Sequence, residues 1–149
     1  VRTIITSPEF FAASDDGVKV KTPFEFVASA LRATGADVED ARPLVQQLRQ
    51  MGMPLYMCQP PTGYADTAEA WMTSGALLAR MNFAVALAAN RMPGVVHPWP
   101  DGSAGAPSDL VAAILPDGAS GATEQAVERA PGPVQALALA LGSPDFQKR

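Results

Sequence analysis

The residue types that most often announce chemistry are scarce in this chain. Among 149 residues there is one cysteine, Cys58, and one histidine, His97. A lone thiol cannot close an internal disulfide, and it cannot build a zinc site from cysteine ligands alone. Cysteine usage therefore leaves the compartment open. Charge is thin as well: 17% of residues are Asp, Glu, Lys or Arg, below the ~25% of typical globular chains. The 11 basic residues are scattered and the formal net charge is −4. That excludes the clustered cations that track nucleic-acid phosphates or anionic membrane surfaces. No run reads as a transmembrane helix, because Arg80, Asn82 and several hydroxyls interrupt the most apolar stretch. Glycine-rich phosphate loops are missing too. "GSAGAP" and "DGASGA" lack the preceding strand and following lysine that such a loop requires.

Apolar residues are what the chain has, at 48%. Its length suits one ordinary domain, 1–149, able to bury roughly 70% of its unfolded surface. Low charge combined with many alanines and leucines points to buried helices. The helix punctuation is legible. Ser7, Pro8 and Glu9 in "TSPEFF" have the order of N-cap, first turn and dipole-compensating acid. In "TPFE", Thr22 and Glu25 have capping-box spacing around Pro23. Phe24, Val27, Ala28 and Leu31 then recur at helical spacing before Gly35, a natural stop. A second helix starts at Asp37 or Asp40, the later being favoured because Pro43 is tolerable only near the start, and carries Ala41, Leu44, Val45, Leu48 and Met51 on one stripe up to Gly52.

Between residues 53 and 65, "MPLYMCQPPTGYA" is apolar yet broken by prolines, so it reads as a loop packed on the body. The pattern next predicts one long helix from Thr67 to Arg91. One stripe holds Trp71, Ser74, Leu78, Met81, Val85, Ala88 and Met92, and Leu77, Ala84 and Leu87 make a second apolar side. A helix apolar all round belongs at the centre of a bundle. A Pro/Gly-rich connector spans 93–107. Short helices follow over Asp109–Leu115, Ala122–Ala130 and Pro133–Leu141, and no strand pairs are expected. The fold class is all-α: an irregular bundle of about six to seven helices around one long central helix, with proline-rich loops. "GSPDFQKR" repeats the Ser-Pro-acid-Phe punctuation of "TSPEFF" at the other end. Both read as devices that end one helix and start another, anchored by Phe10 and Phe146.

Five ordered blocks carry a resemblance: "TSPEFF", "KVKTPFEFVASALRATGADV", "LRQMGMPLYMCQPPTGY", "AWMTSGALLARMNFAVALA" and "LALALGSPDFQKR". Together they resemble the C-terminal third of the bacterial domain-of-unknown-function family numbered 1800. The resemblance implies a mostly helical protein of several hundred residues, of which this chain is the tail. It also implies export, hence a periplasmic or secreted location, and it brings no activity, cofactor or catalytic residue with it. Val1 in place of an initiator methionine, and "VRTII" reading like the end of a helix, agree with a piece of a longer polypeptide.

Candidate sites are few. His97 in "VVHPWP" could shuttle a proton or bind a metal, but with no second histidine nearby it reads as a loop histidine packed beside Trp99. Cys58 could act as a nucleophile only if the fold brought His97 to it, and it reads as a buried structural thiol. The carboxylate groups Asp15-Asp16, Asp37/Glu39/Asp40 and Asp66/Glu69 fall at turns and helix starts, which explains them without metal or acid–base chemistry. The best binding candidates are Tyr56, Gln59, Tyr64, Trp71 and Arg80, where aromatic faces with polar handles suit a sugar or peptide groove. The alternative is that these aromatics pin the loop to the bundle. Arg80, inside an apolar helix, needs carbonyl or carboxylate partners if buried, from loop carbonyls or Asp66.

The reading that follows is a non-catalytic helical segment that completes a larger fold or an interaction surface, with no cofactor and no metal. Its expected partner is the upstream part of its own polypeptide or another protein. Homo-oligomers stay open, since a copy can cover the same stripe. A composite enzyme site with upstream residues and a carbohydrate- or peptide-binding module are the alternatives.

Overall fold

A computed structural model describes residues 19–99 and 107–148. The caps expected at Ser7–Phe10, the Asp15-Asp16 pair and the centre of the connector lie outside them. The described residues form seven helices and one minimal sheet. In order these are α1 (Pro23–Thr34), β1 (Asp37–Val38), α2 (Arg42–Gln50), α3 (Ala68–Trp71), α4 (Ser74–Ala88), β2 (Val95–Val96), α5 (Pro107–Ile114), α6 (Gly121–Glu128) and α7 (Pro133–Gly142).

Local chemistry sets these boundaries. At α1 the capping box closes in both directions: Glu25 N–H donates to Thr22 Oγ1 at 3.3 Å and Thr22 N–H donates to Glu25 Oε2 at 2.8 Å. Two of the orphan donors at the helix start are thereby satisfied. Gly35 ends the helix in the left-handed conformation, φ 62°, with its N–H donating to Arg32 O. The buried face, however, is Pro23, Phe26, Val27, Ala30 and Thr34, while Phe24 is 51% exposed. Phe26 wins the interior because Phe83 and Phe146 meet it edge-on, at centroid separations of 5.7 and 5.8 Å.

On α2, Leu44, Leu48 and Met51 are buried, whereas Ala41 and Val45 face solvent. Asp40 does not take the N-cap position, which falls to Ala41. Its carboxylate accepts from Arg42 N–H at 3.0 Å and from the Arg42 guanidinium, which holds the Asp40 pKa below its ordinary value.

The single long helix expected over 67–91 is two helices. Thr73 breaks it: its side chain accepts from Ala76 N–H at 3.3 Å and caps α4 as a new start. The Trp71 indole N–H donates to Ala65 O at 3.0 Å, tying α3 to the loop before it. Past α4, Asn90 adopts φ 50° and its side chain clasps the His97 backbone in both directions. This turn carries β2 back to β1, where Asp37 pairs with Val96 and Val38 with Val95, antiparallel. Gly94 makes the approach possible. At φ 70° it lies so close to Asp40 that a Cβ would collide with the Asp40 Cβ and backbone. Its carbonyl accepts from Glu39 N–H at 2.8 Å and Asp40 N–H at 3.1 Å. No strand had been expected; two residues per strand are too short to leave an alternating pattern.

The ten-residue α7, "PVQALALALG", is the hub of the C-terminal half and packs against α4, α5 and α6. Its Leu137, Ala140 and Leu141 are fully buried, next to Phe83 and Leu87 of α4 in one core. Small residues alternating with leucines let three neighbours approach at once.

Beyond α7 the Ser-Pro-acid-Phe segment ends the helix as expected, but it folds into a turn and starts no new helix among the described residues. Ser143 Oγ accepts from Phe146 N–H at 3.1 Å, and Phe146 drops into the core. Asp145, in turn, serves a different helix. Its carboxylate accepts from Ser120 N–H at 2.9 Å, Ser120 Oγ at 2.7 Å and Thr123 Oγ1 at 2.6 Å, securing the start of α6. Those hydrogen bonds hold its pKa below the usual carboxylate range. The last residues then pair with the first described ones: Val20 bridges Lys148, and Lys21 N–H donates to Gln147 O at 2.7 Å.

Candidate functional site

Arg80 sits on the inner face of α4 and is fully buried. Among the described residues neither Asp66 nor any other carboxylate meets it; Asp66 pairs with Lys19. Its Nη1–H group donates to Gln147 Oε1 at 2.6 Å and its Nη2–H group to Lys21 O at 2.7 Å. The guanidinium also lies 5.2 Å from the Phe26 ring centroid. Among the described residues, Arg80 Nε and Gln147 Nε2 have no hydrogen-bond partner. Burial without a counter-charge pushes the Arg80 pKa down to about 10. The cation is thus spent on joining two stretches distant in sequence, around Lys21 and Gln147, and does not line an open cleft.

Lys21 reinforces the same seam. Its ammonium donates to Phe146 O at 2.8 Å and stands 4.0 Å from the Phe146 ring centroid. Burial pulls its pKa below the ordinary lysine value, against the raising influence of Asp117 and Glu25. A shallow depression of about 380 Å³ opens beside it, with Arg32, Asp117, Asp145 and Lys148 on its walls. Charges of both signs alternate there, so the depression selects for neither anions nor cations.

His97 is buried and both ring nitrogens are engaged. Nδ1 accepts from Trp99 N–H at 3.1 Å, which leaves Nε2 to carry the proton that it donates to Leu87 O at 2.6 Å. A ring so bound fills a structural position beside Trp99 and has no free nitrogen for a ligand.

The loop of residues 52–66 divides into a pinned base and an open tip. Tyr64 and Trp71 form the base, with ring centroids 6.1 Å apart; the Tyr64 hydroxyl donates to Pro54 O. Trp71 is buried. These two aromatics pin the loop. Tyr56 does the opposite: fully exposed, it holds a left-handed backbone at φ 59°, and Met57 and Gln59 beside it face solvent. Cys58 is half-buried, not buried as expected, with its thiol 3.7 Å from Pro60 O. Tyr56, Gln59, Tyr64 and Trp71 share one loop and its foot, whereas Arg80 and His97 are bound into separate contacts elsewhere. The six do not form one groove.

Sequence reasoning put Leu78, Met81 and Val85 on one of two apolar sides of a helix expected at the centre of the bundle, and the structure turns them out. Their exposures are 62%, 40% and 53%. Met81 lies against Gly142 of α7, and Leu139, one turn earlier on that helix, is exposed as well. The signal for this face was the stripe itself, at i, i+3 and i+7. What the pattern could not say is which of two apolar sides the bundle would cover. Among the described residues no group of three His, Cys, Asp or Glu is placed to hold a metal ion. None of the described helices is long and apolar enough to cross a membrane.

No curated protein and no solved structure matches the chain. A family model described as a protein of unknown function, DUF1800, matches residues 1–148, nearly the whole sequence. The chain therefore belongs to the DUF1800 family.

Proposed function

We propose that this chain acts as a non-catalytic helical segment whose outward face on α4 completes an interface with another part of a larger protein or with a protein partner. The observation that carries this reading is the exposed row Leu78, Met81 and Val85 on a helix whose opposite face builds the core. Contiguous apolar surface of this kind marks contact sites. The chemistry of the interior supports it. Arg80 and His97, the two residues best suited to a composite enzyme site, are engaged by the chain's own backbone and by Gln147.

The test is a triple variant, Leu78→Ser, Met81→Gln and Val85→Thr, compared with the unsubstituted chain. If the row serves contact, the variant melts at nearly the same temperature but loses binding of a hydrophobic dye and any self-association seen by light scattering. A large fall in melting temperature would show that the row belongs to this chain's own core and would overturn the reading. So would hydrolytic or redox turnover by the chain alone.

A further inference from the structure

A second surface, away from the loop and from the α4 row, combines a cleft with uncompensated charge. Helices α5 and α6 and the turn between them enclose a cleft of about 460 Å³. That lies within the range of ligand-sized sites. Val111 and Leu115 form its floor, and Pro116 and Ala119 line it from the turn. Glu124 and Glu128 stand on one wall, four residues apart on α6, and so neighbours on one helix face. Among the described residues no lysine or arginine lines the cleft. Among the described residues neither glutamate is paired with a cation. The cleft is therefore lined by apolar side chains and by two carboxylates that no described cation pairs.

We propose that the cleft between α5 and α6 receives an arginine side chain from a partner polypeptide. Its methylene stem would lie on Val111, Leu115, Pro116 and Ala119, and its guanidinium between Glu124 and Glu128. Two features favour arginine. An apolar stem ending in a cation matches a cleft lined by apolar side chains of α5 and the turn and by two carboxylates of α6. A planar fork with five donors can serve two carboxylates about 6 Å apart at their Cβ atoms, which a single ammonium cannot do as well. The site is independent of the α4 row, so either can fail without the other.

The experiment is an amide-shift titration of the isotope-labelled chain with three probes: butylguanidinium, its neutral isostere butylurea, and a capped tripeptide with arginine between two leucines. The proposal expects saturable shifts at Val111, Leu115 and Ala119 with both guanidinium probes, the tripeptide binding more tightly, and none with butylurea. In the Glu124→Gln/Glu128→Gln variant, whose exposed glutamines keep the helix, affinity should fall roughly tenfold. Raising the salt concentration should weaken binding in the unsubstituted chain and leave the variant unchanged. Four results would each overturn the proposal: no saturating shift with either guanidinium probe into the millimolar range, equal binding of butylurea, indifference to the double substitution, or butylguanidinium binding as tightly as the tripeptide. The last would assign the cleft to a small organic cation instead of a polypeptide.

Discussion

On α4, Phe83, Ala84, Leu87 and Ala88 face inward, whereas Leu78, Met81 and Val85, no less apolar, face water. The only ionised side chain on the helix is on the inner face, where hydropathy alone would not put it. Arg80 is buried because two acceptors wait for it there, the Lys21 carbonyl and the Gln147 amide. The outer row stays exposed even though Met81 lies beside Gly142 of α7. The lesson is that burial on this helix follows the available partners, not the hydropathy of each residue.

Breaking the inner face should have the largest effect. Arg80→Ala leaves a cavity and strips a donor from two buried acceptors, so it should cost about 3 kcal/mol or more in a denaturant melt. Arg80→Met keeps the volume and removes a charge that lacks a counter-ion, and should cost clearly less. If the two variants were equally damaged, the hydrogen bonds and not the packing would dominate.

Asp145 tests the same seam one step outward. Asp145→Ala removes three accepted hydrogen bonds from the start of α6 and should cost about 1 kcal/mol, with allowance for its solvent access. The pH dependence has a definite sign. Because the folded-state pKa of Asp145 is depressed, its contribution is complete above the unfolded-state pKa, about 3.9, and is lost as pH falls through the lower folded value. Acid melts of Asp145→Asn should therefore show a shallower loss of stability than the unsubstituted chain.

The outer surfaces should respond weakly or in the opposite direction. Tyr56 sits exposed in a backbone region that disfavours side chains, so Tyr56→Gly should raise stability by up to about 1 kcal/mol. No gain in the melting temperature would mean that the exposed ring already stabilises the turn. The triple substitution of Leu78, Met81 and Val85 should move stability by no more than about 0.5 kcal/mol. With that result, the contrast between the two faces of α4 becomes quantitative.

Much of the architecture could be read from local chemistry. The Thr22/Glu25 box, Gly35 as a stop, the three C-terminal helices and the Ser143–Phe146 turn all follow from short-range rules, and all are present. The face that each helix buries was harder. Phe24 and Phe26 are equivalent by composition, and only Phe83 and Phe146, far along the chain, decide between them. The break at Thr73 was legible in principle, since a threonine three residues before Ala76 is a capping position. The unbroken apolar pattern around it argued for continuity. As for the site, Arg80 stood out in the sequence as a cation that, if buried, needs carbonyl or carboxylate partners, and carbonyl-type oxygens are what it finds. Its acceptors lie 59 and 67 residues away and left no local trace. Glu124 and Glu128 drew no reading from the sequence, because a cleft is formed by two helices and a turn and is visible in none of them alone.

The pairing of Lys21 with Phe146 and Gln147 has a consequence for the order in which the molecule can be made. That contact spans 125 residues, so it closes a loop holding nearly the whole described chain, and such closures come late. During synthesis the Arg80 cation is in place well before Gln147 exists to receive it. Until Phe146 and Gln147 leave the ribosome, Phe26 has no Phe146 above it and the guanidinium must stay hydrated. The described interior is thus sealed by Phe146 and Gln147, and a nascent chain stalled short of them holds an open core.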